Sequence, residues 1–180
     1  MTEVAIERAI TFIEPGPVVL VSTFDGHRNN VMTISWTMAI DFSQHIVITT
    51  GEWNYSFRAI MNTRECVVCI PPVTMLETVV RIGDVSGANI DKFNMFGLTP
   101  LPAVTVNAPL IDGCIACLEC KVVDCIEKYG FIIMKVTRVT VNPDCHDRRM
   151  IHAIGDGSFV ADGETFNCRE LMADKLPPGL

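Results

Sequence analysis

The feature that most constrains the fold of this chain is a pair of apolar, β-branched stretches joined by a turn. Pro17–Phe24 and Val31–Met38 are rich in strand-forming residues, and Asp25–Asn29 between them supplies turn chemistry. In the second stretch, residues on the two faces alternate with the two-residue period of a strand. One face carries Met32, Ile34, Trp36 and Met38, and the other carries Val31, Thr33, Ser35 and Thr37. The pattern predicts a barrel strand whose hydroxyl face could approach a planar or phosphorylated ligand, although an ordinary two-faced strand has the same pattern.

The rest of the chain alternates short strand and helix signals without repeats or linkers. Further strands are predicted at His45–Thr50, Cys66–Ile70, Cys114–Ile126 and Gly130–Val141. After Pro143 the pattern weakens into His152–Ile154 and Ser158–Phe166, the latter broken by Asp162-Gly163. Helices are predicted at Thr2–Ala9, Asn54–Asn62, Thr74–Ile82 and Ile90–Phe96. Six or seven strands with interleaved short helices indicate a mainly β fold, a closed antiparallel barrel. The alternation of single strands with long helices that marks a parallel doubly wound sheet is missing.

Composition and charge narrow the class of protein. The 180 residues are enough for one domain with a substantial core, so we expect a single domain over 1–180. Hydrophobic residues make up 49% of the chain, which is apolar for a free monomer and suggests a buried subunit interface. The net charge of −7 argues against nucleic acid or an anionic membrane as the main partner.

The N-terminus and the cysteines indicate a cytoplasmic protein. Glu3, Glu7 and Arg8 interrupt the N-terminal stretch, so it does not have the pattern of a secretory signal. No apolar run approaches the length of a membrane span. The eight cysteines are therefore expected to be reduced thiols rather than a disulfide framework.

Four of the cysteines, Cys114-x2-Cys117-x2-Cys120-x4-Cys125, have a spacing similar to that of iron–sulfur ligands. The surrounding segment alternates as a strand, which would place Cys114 and Cys120 on one face and Cys117 and Cys125 on the other. A strand cannot direct all four thiolates at one cluster, so we predict no metal site here. The four histidines are scattered and show no metal-ligand spacing.

Six segments, taken in order, resemble one known family. They are PVVLVST, NNVMTISW, IVITTGEWNYSFRAIMNTRECVVCIP, RIGDVSGANIDKFNMFGLTP, LECKVV and DGETF. Together they are similar to the flavin-reductase-like FMN-binding split-barrel family, with its flavoredoxin branch nearest, over a core of about residues 15–166. The resemblance implies a six-stranded antiparallel split β-barrel with short helices. It also implies a homodimer that holds non-covalent FMN near the subunit interface.

The same resemblance implies which residues bind FMN. Met32, Thr33, Ile34, Ser35 and Trp36 would line the isoalloxazine, largely through backbone groups. Thr49, Thr50, Asn54 and Ser56 would bind the ribityl chain and phosphate, and Lys92 and Phe166 would approach the flavin ring. A helix that begins near Tyr55 fits this role, because its first N–H groups lack partners and its dipole attracts a phosphate. Plain capping by Asn54 and Ser56, and a surface position for Lys92, are the alternative interpretations.

Motifs of other enzyme classes are missing from the sequence. It has no G-x-x-x-x-G-K-[ST] phosphate loop, no dinucleotide fingerprint between a strand and a helix, and no evident catalytic triad. We therefore predict no catalytic side chain, and any nicotinamide would bind against the flavin, which carries the chemistry. The predicted function passes reducing equivalents from NAD(P)H through FMN to a flavin, ferric or protein acceptor. The alternatives are a flavoredoxin-type carrier that exchanges electrons with redox proteins and has no nicotinamide site, and a non-catalytic FMN-binding protein.

Overall fold

A computed structural model describes residues 1–176, and antiparallel strands dominate it. The strands are β1 (Thr2–Val4), β2 (Val19–Phe24), β3 (Asn29–Ile34), β4 (Thr37–Ala39), β5 (His45–Thr49), β6 (Glu65–Ile70), β7 (Pro100–Leu101), β8 (Leu110–Ile111), β9 (Ala116–Ile126), β10 (Phe131–Val141), β11 (Ile151–Ala153) and β12 (Phe159–Ala161). The α-helices are α1 (Ala9–Ile13), α2 (Tyr55–Thr63), α3 (Leu76–Asp84) and α4 (Lys92–Met95). Short 3₁₀ turns occupy Ile6–Arg8, Val73–Met75, Glu127–Tyr129 and Arg169–Lys175. Within residues 1–176, no helix combines the length and the apolar character needed to cross a lipid bilayer.

The order of strands explains why the main sheet curls. The path is β3-β2-β6-β9-β10-β5-β4, with β1 added beside β10, so β3 and β4 lie at opposite edges. Only Ser35 and Trp36 separate these two strands along the chain, so the two edges must come together. Near this junction, Thr49 N donates to Trp36 O at 3.0 Å. The eight-stranded sheet is therefore a curled half-barrel, and the mainly β antiparallel fold expected from the sequence is confirmed.

The two faces of the sheet bury separate hydrophobic clusters. The inner cluster fills the curl and includes Met32, Ile48 and Leu118. The outer cluster includes Val31 and Ile82, and it packs β2, β3, β6 and β9 against α3 and α4. Neighbouring residues such as Val31 and Met32 therefore enter different clusters, as the two-residue period of a strand requires. Each aliphatic side chain buried in this way contributes about 1.5–3 kcal/mol to stability. The inner cluster therefore holds α2 against the sheet, and the outer cluster holds α3 and α4.

The N-terminus and the second half of the opening hairpin differ from the sequence predictions. Thr2–Val4 is a strand paired with β10, and α1 begins only at Ala9, so the helix predicted at Thr2–Ala9 is wrong. The single strand predicted at Val31–Met38 is wrong as well, because it breaks after Ile34 and β4 then pairs with β5. In both places hydrogen bonds to a distant strand override local propensity. The other elements through β10 begin and end within two residues of the predicted bounds, except for the β7–β8 pair, which was not predicted.

A β-bulge in the β9–β10 pair changes the directions of the cysteine side chains. The register shifts at Val123, which has no partner on β10. One unpaired residue moves the following side chains to the opposite face. The bulge therefore turns Cys125 to the inner cluster with Cys120, so the face predicted for Cys125 is wrong. The face predicted for Cys114 is wrong for a different reason: Cys114 precedes β9, where the alternation has not begun, and it lies with Cys117 in the outer cluster. Among residues 1–176, no group of three His, Cys, Asp or Glu side chains is arranged to hold a metal ion.

The division of these four thiols between two clusters predicts that they bind no metal. Protein purified anaerobically is expected to contain no stoichiometric iron or zinc by elemental analysis. Replacing Cys117 and Cys125 together with alanine is expected to leave the visible spectrum intact, at a modest cost in stability. About one zinc ion or several irons per chain, lost in the double variant, would contradict the prediction.

Candidate functional site

Three cavities surround the start of α2, and aromatic side chains separate them. The central cavity has a volume of about 320 Å³ and lies between β3 and residues 83–87. The arginine cavity, of about 240 Å³ and lined in part by Arg28 and Arg58, shares Tyr55 with the central cavity. The hairpin cavity, of about 440 Å³ beside the β9–β10 connection, shares Trp53 with the central cavity. A ligand larger than any one cavity can therefore extend past either ring.

The central cavity lies between β3 and the loop that follows α3. Thr33 Oγ1 donates to Val79 O at 2.6 Å, which ties the strand to the helix. The loop approaches the strand so closely at Gly87 that a Cβ there would lie 2.1 Å from Asn30 Oδ1. Any other residue would displace the buried Asn30 side chain. The close approach at Gly87 therefore sets the distance between the two walls.

Lys92 is buried beside the central cavity, so the alternative of an ordinary surface lysine is wrong. Its Nζ donates to Ile82 O at 2.9 Å, one of the last carbonyls of α3. Burial lowers the pKa of Lys92 from 10.5 to about 8. An ammonium has three N–H donors, and among residues 1–176 only Ile82 O accepts a hydrogen bond from Lys92 Nζ. At neutral pH the cavity therefore holds a cation that can donate further hydrogen bonds to a ligand.

Asn54 and Ser56 stand at the start of α2 but have different surroundings. Asn54 occupies the N-cap position, yet its side chain makes no capping hydrogen bond, and it lines the central cavity. The capping interpretation therefore fails for Asn54, whose amide is free to contact a ligand. Ser56 is buried, its Oγ accepts from Asn30 Nδ2 at 2.8 Å, and it lines none of the three cavities.

The remaining candidate residues divide between the barrel interior and the surface. Ile34 is buried in the inner cluster, and Ser35 and Trp36 lie at the strand break with Trp36 63% exposed. Phe166 is 74% exposed, and none of these four residues lines the central cavity. Thr49 is half-buried at the end of β5.

Thr50 lies one residue further along and lines the hairpin cavity. Its Oγ1 is buried and has no hydrogen-bond partner in the part of the chain that the structure describes. A buried hydroxyl without a partner is costly, so the hairpin cavity has an unused polar group for a ligand that reaches it from the central cavity.

Of the eleven residues proposed from the sequence, the structure brings four together at the central cavity. These are Met32, Thr33, Asn54 and Lys92. Residue-level reasoning missed Trp53, Tyr55 and residues 83–87, the end of α3 and the loop after it, which complete the lining. The only available signal was the segment RIGDVSG, whose two glycines permit a close approach to another backbone.

The central cavity is suited to a planar ligand that carries a phosphate. Its walls are a strand and a glycine-containing loop, and the rings of Trp53 and Tyr55 lie at its sides. A buried ammonium favours negative charge on the ligand, and the start of the nine-residue helix α2 offers N–H donors to a phosphate. These features support binding and electrostatic stabilisation rather than acid–base catalysis by paired side chains.

Comparison with known proteins identifies one similar family and several structures of the same fold. A model of the flavin reductase like domain matches residues 13–156. The FMN-binding domain of a flavin reductases-like enzyme from Shewanella baltica has a TM-score of 0.84 and 26% identity, covering 93% of this chain and 96% of that chain. Flavoredoxin of Desulfovibrio vulgaris has a TM-score of 0.79 and 26% identity, with coverages of 84% and 89%. A protein of Archaeoglobus fulgidus is 34% identical over 145 residues, which are 75% of this chain and 82% of that protein.

Proposed function

The chain belongs to the flavin reductase like family, and from this premise we propose that it is a flavoprotein that passes reducing equivalents from NAD(P)H through FMN to a flavin, ferric or protein acceptor. FMN supplies the redox chemistry, and the protein supplies binding, orientation and electrostatics. The observation that carries the proposal is the central cavity, where a strand wall, a buried ammonium and an uncapped helix start meet. Two structures of the same fold, an FMN-binding domain and a flavoredoxin, support it.

The residues of this chain fit FMN. Met32 and Thr33 would contact the flavin ring from β3, and residues 83–87 would contact its edge, which leaves one face of the ring for the nicotinamide. Asn54 and the first N–H groups of α2 would hold the phosphate. The unpartnered hydroxyl of Thr50, past Trp53, would gain a partner in the ribityl chain or the phosphate. The contacts of Asn54, the α2 start and Thr50 would each satisfy polar groups that have no side-chain or cavity partner among residues 1–176.

Lys92 is the residue that would favour the reduced cofactor. Its ammonium is held at Ile82 O by a hydrogen bond of 2.9 Å, so the charge is fixed in the cavity before a ligand binds. A cation positioned in a dry site stabilises developing negative charge without reorganisation. Lys92 would therefore stabilise negative charge on the reduced ring more than it stabilises the neutral oxidised ring.

Anaerobic reduction separates this function from its nearest alternative. The purified protein is expected to be yellow. Under anaerobic conditions, NADH or NADPH is expected to abolish the flavin absorbance at a rate at least as fast as steady-state turnover. A flavoredoxin-type carrier would bleach with dithionite or a reduced redox protein but not with either nicotinamide. A non-catalytic binding protein would bleach with dithionite alone and would not pass electrons to an acceptor. The flavoredoxin similarity keeps the carrier as the second candidate.

Substitutions at Asn54 and Ser56 test where the phosphate binds. Asn54→Ala is expected to weaken FMN by about 1–2 kcal/mol, the strength of a charge-assisted hydrogen bond, and to leave riboflavin affinity almost unchanged. Ser56→Ala is expected to weaken FMN and riboflavin equally, because the Ser56 hydroxyl is bonded to Asn30 rather than exposed to a cavity. Fluorescence titration of the apo-protein with both ligands measures the difference. A loss specific to FMN in Ser56→Ala would instead make that hydroxyl a phosphate ligand.

We also propose that the protein is a homodimer in which each subunit completes the site of the other. Trp36, Met38 and Phe42 are at least half exposed around the edge strand β4, and exposed apolar groups of this size mark an interface. Trp36 and Phe166 lie outside the central cavity of their own chain and would contact FMN from the second subunit. All eight cysteines are free thiols, which supports a reducing compartment such as the cytoplasm.

Size-exclusion chromatography with light scattering tests the dimer. The holo-protein is expected to elute as a dimer with about one FMN per chain. Met38→Glu is expected to shift it towards the monomer, because a charge placed in an apolar interface is left without a partner. Val160→Glu is the control, since Val160 is also about half exposed but lies on β12. A wild-type protein that is monomeric and still fully loaded with FMN would contradict the shared site.

A further inference from the structure

The arginine cavity lies beside the proposed FMN site, and none of the FMN contacts proposed above uses it. It is formed around the β2–β3 turn and one side of α2, and its lining includes Thr23, Arg28, Tyr55, Arg58 and Asn62. Its volume of about 240 Å³ is below the roughly 300–1,000 Å³ of sites that enclose a whole small-molecule ligand. It is therefore suited to one end of a larger molecule.

The cavity is positively charged and rich in hydrogen-bond donors. The Arg58 guanidinium has no hydrogen bond or ion pair with any residue between 1 and 176. Asp25 supplies a carboxylate to the lining, but its Oδ1 already accepts from His27 N and Arg28 N, each at 2.9 Å. These backbone donors lower the pKa of Asp25 and hold its charge in the turn. The Arg58 guanidinium is thus free to pair with an anion.

Thr23 gives a second, independent indication of a ligand. It lines the arginine cavity, is fully buried, and its Oγ1 has no hydrogen-bond partner among the described residues. Buried hydroxyls are almost always satisfied by protein, water or ligand, because an unmade hydrogen bond costs free energy. A phosphate offers several acceptor oxygens, so one group could accept from Thr23, Arg58 and Asn62 together.

Arg28 and Tyr55 join the arginine cavity to the central cavity. The Arg28 guanidinium carbon lies 5.1 Å from the centroid of the Tyr55 ring, and its Nη2 donates to the Tyr55 hydroxyl. The same nitrogen donates to Gly87 O at 2.6 Å, and Gly87 lines the central cavity. Tyr55 itself lines both cavities. A ligand that passes this ring would have one end in each cavity.

We propose that the arginine cavity binds the adenosine phosphate end of the reduced nicotinamide nucleotide, with Arg58 as its main phosphate ligand. This inference rests on the proposed function and adds the subsite for the electron donor. A nicotinamide dinucleotide carries its phosphates away from its reactive ring, so phosphates held by Arg58 would leave the ring free to reach the central cavity. The fork of N–H groups on a guanidinium matches phosphate oxygens better than an ammonium does. The chain thereby gains a nucleotide site without a Rossmann domain.

The test compares Arg58→Gln with Arg81→Gln in the FMN-loaded protein. Arg81 is an exposed arginine of α3 that pairs with Glu77 at 3.4 Å, so the control removes the same charge outside the three cavities. Calorimetric titration with 5′-ADP and 2′,5′-ADP measures phosphate binding without turnover. In Arg58→Gln, the affinity for whichever of these two probes binds wild type more tightly is expected to fall by about tenfold. In Arg81→Gln, the same affinity is expected to fall by less than about twofold.

Steady-state reduction supplies the second readout. Arg58→Gln is expected to raise KM for the preferred nicotinamide nucleotide by about tenfold. Its rate of reduction by N-benzyl-1,4-dihydronicotinamide, which has no phosphate, is expected to equal that of the wild type. Unchanged ADP affinity in Arg58→Gln, or equal losses in the two variants, would overturn the inference.

Two further results distinguish the inference from the function on which it rests. Weaker FMN binding but unchanged riboflavin binding to Arg58→Gln apo-protein would assign the cavity to the phosphate of FMN and overturn the inference alone. Wild-type protein that is bleached by dithionite but by neither NADH nor NADPH would overturn the proposed nicotinamide-dependent function, and the donor subsite with it.

Discussion

Replacing Lys92 with methionine is expected to lower the two-electron midpoint potential of bound FMN by about 30–60 mV, which corresponds to about 1.4–3 kcal/mol. Methionine keeps most of the length and apolar volume of the stem but removes the ammonium that is buried beside the central cavity. The reduced flavin ring would then lose the nearby positive charge that stabilises it, whereas the oxidised ring would lose little. Spectroelectrochemical titration of both proteins measures the shift.

The pH dependence of this shift checks its cause. Burial lowers the pKa of Lys92 to about 8 in the FMN-free protein, so the ammonium is fully present only below that pH. The difference in potential between wild type and Lys92→Met should therefore be largest at about pH 6–7 and decrease as the pH rises above about 8. Lys121→Met, at an exposed position on β9, is the control and should shift the potential by less than about 10 mV. A difference that does not vary between about pH 6 and 10 would contradict electrostatic stabilisation by Lys92.

Replacing Glu119 with alanine is expected to lower the free energy of unfolding by about 3–5 kcal/mol, the cost of removing one partner from a buried charged network. Glu119 is fully buried on β9, and its Oε2 accepts from Val104 N at 3.0 Å, Thr105 N at 2.5 Å and Thr105 Oγ1 at 2.7 Å. Its Oε1 lies 3.8 Å from Arg138 Nε without a hydrogen bond. Alanine would leave these donors without an acceptor and would create a cavity.

A second glutamate provides a matched control for this prediction. Glu65 Oε1 accepts from Asn107 N at 2.7 Å and from Asn107 Nδ2 at 2.8 Å, so it holds the same loop from a more exposed position. Glu65→Ala is expected to cost at most about 1 kcal/mol, because water replaces its contacts. Urea unfolding followed by circular dichroism, at one protein concentration and with excess FMN, gives both values. Equal losses at the two positions would show that the burial of Glu119 does not determine its contribution.

Residue patterns predicted the elements whose stability depends on local spacing. The alternation of Phe131–Val141 and the helical spacing of Phe57, Ile60 and Met61 correspond to β10 and α2, with bounds close to those predicted. The order of the six family-like segments likewise indicated the flavin-reductase-like family, and the family match confirms it. The predictions of strands and helices succeed because a strand or helix that buries one face has apolar side chains at a regular spacing along the sequence.

The candidate site was predictable only in part, for a different reason. Four of the proposed residues, including Asn54 and Lys92, meet at the central cavity, but the pattern could not show that Lys92 is buried or that Asn54 leaves the helix start uncapped. It also could not show that Ser56 bonds to Asn30. Those contacts join residues far apart in the chain, and nothing in the local spacing records them.

By itself, the sequence determined the mainly β class, the position of most strands and helices, and the family. Only the tertiary structure decided that the predicted strand is interrupted at Ser35 and Trp36, so that β3 and β4 become opposite edges of one curled sheet. It likewise decided that a bulge at Val123 reverses the face of the following side chains, and that Arg28 and Tyr55 join two cavities. The physical reason is that strand register and cavity walls depend on hydrogen bonds between distant segments, and a shift of one residue in such pairing redirects every side chain beyond it.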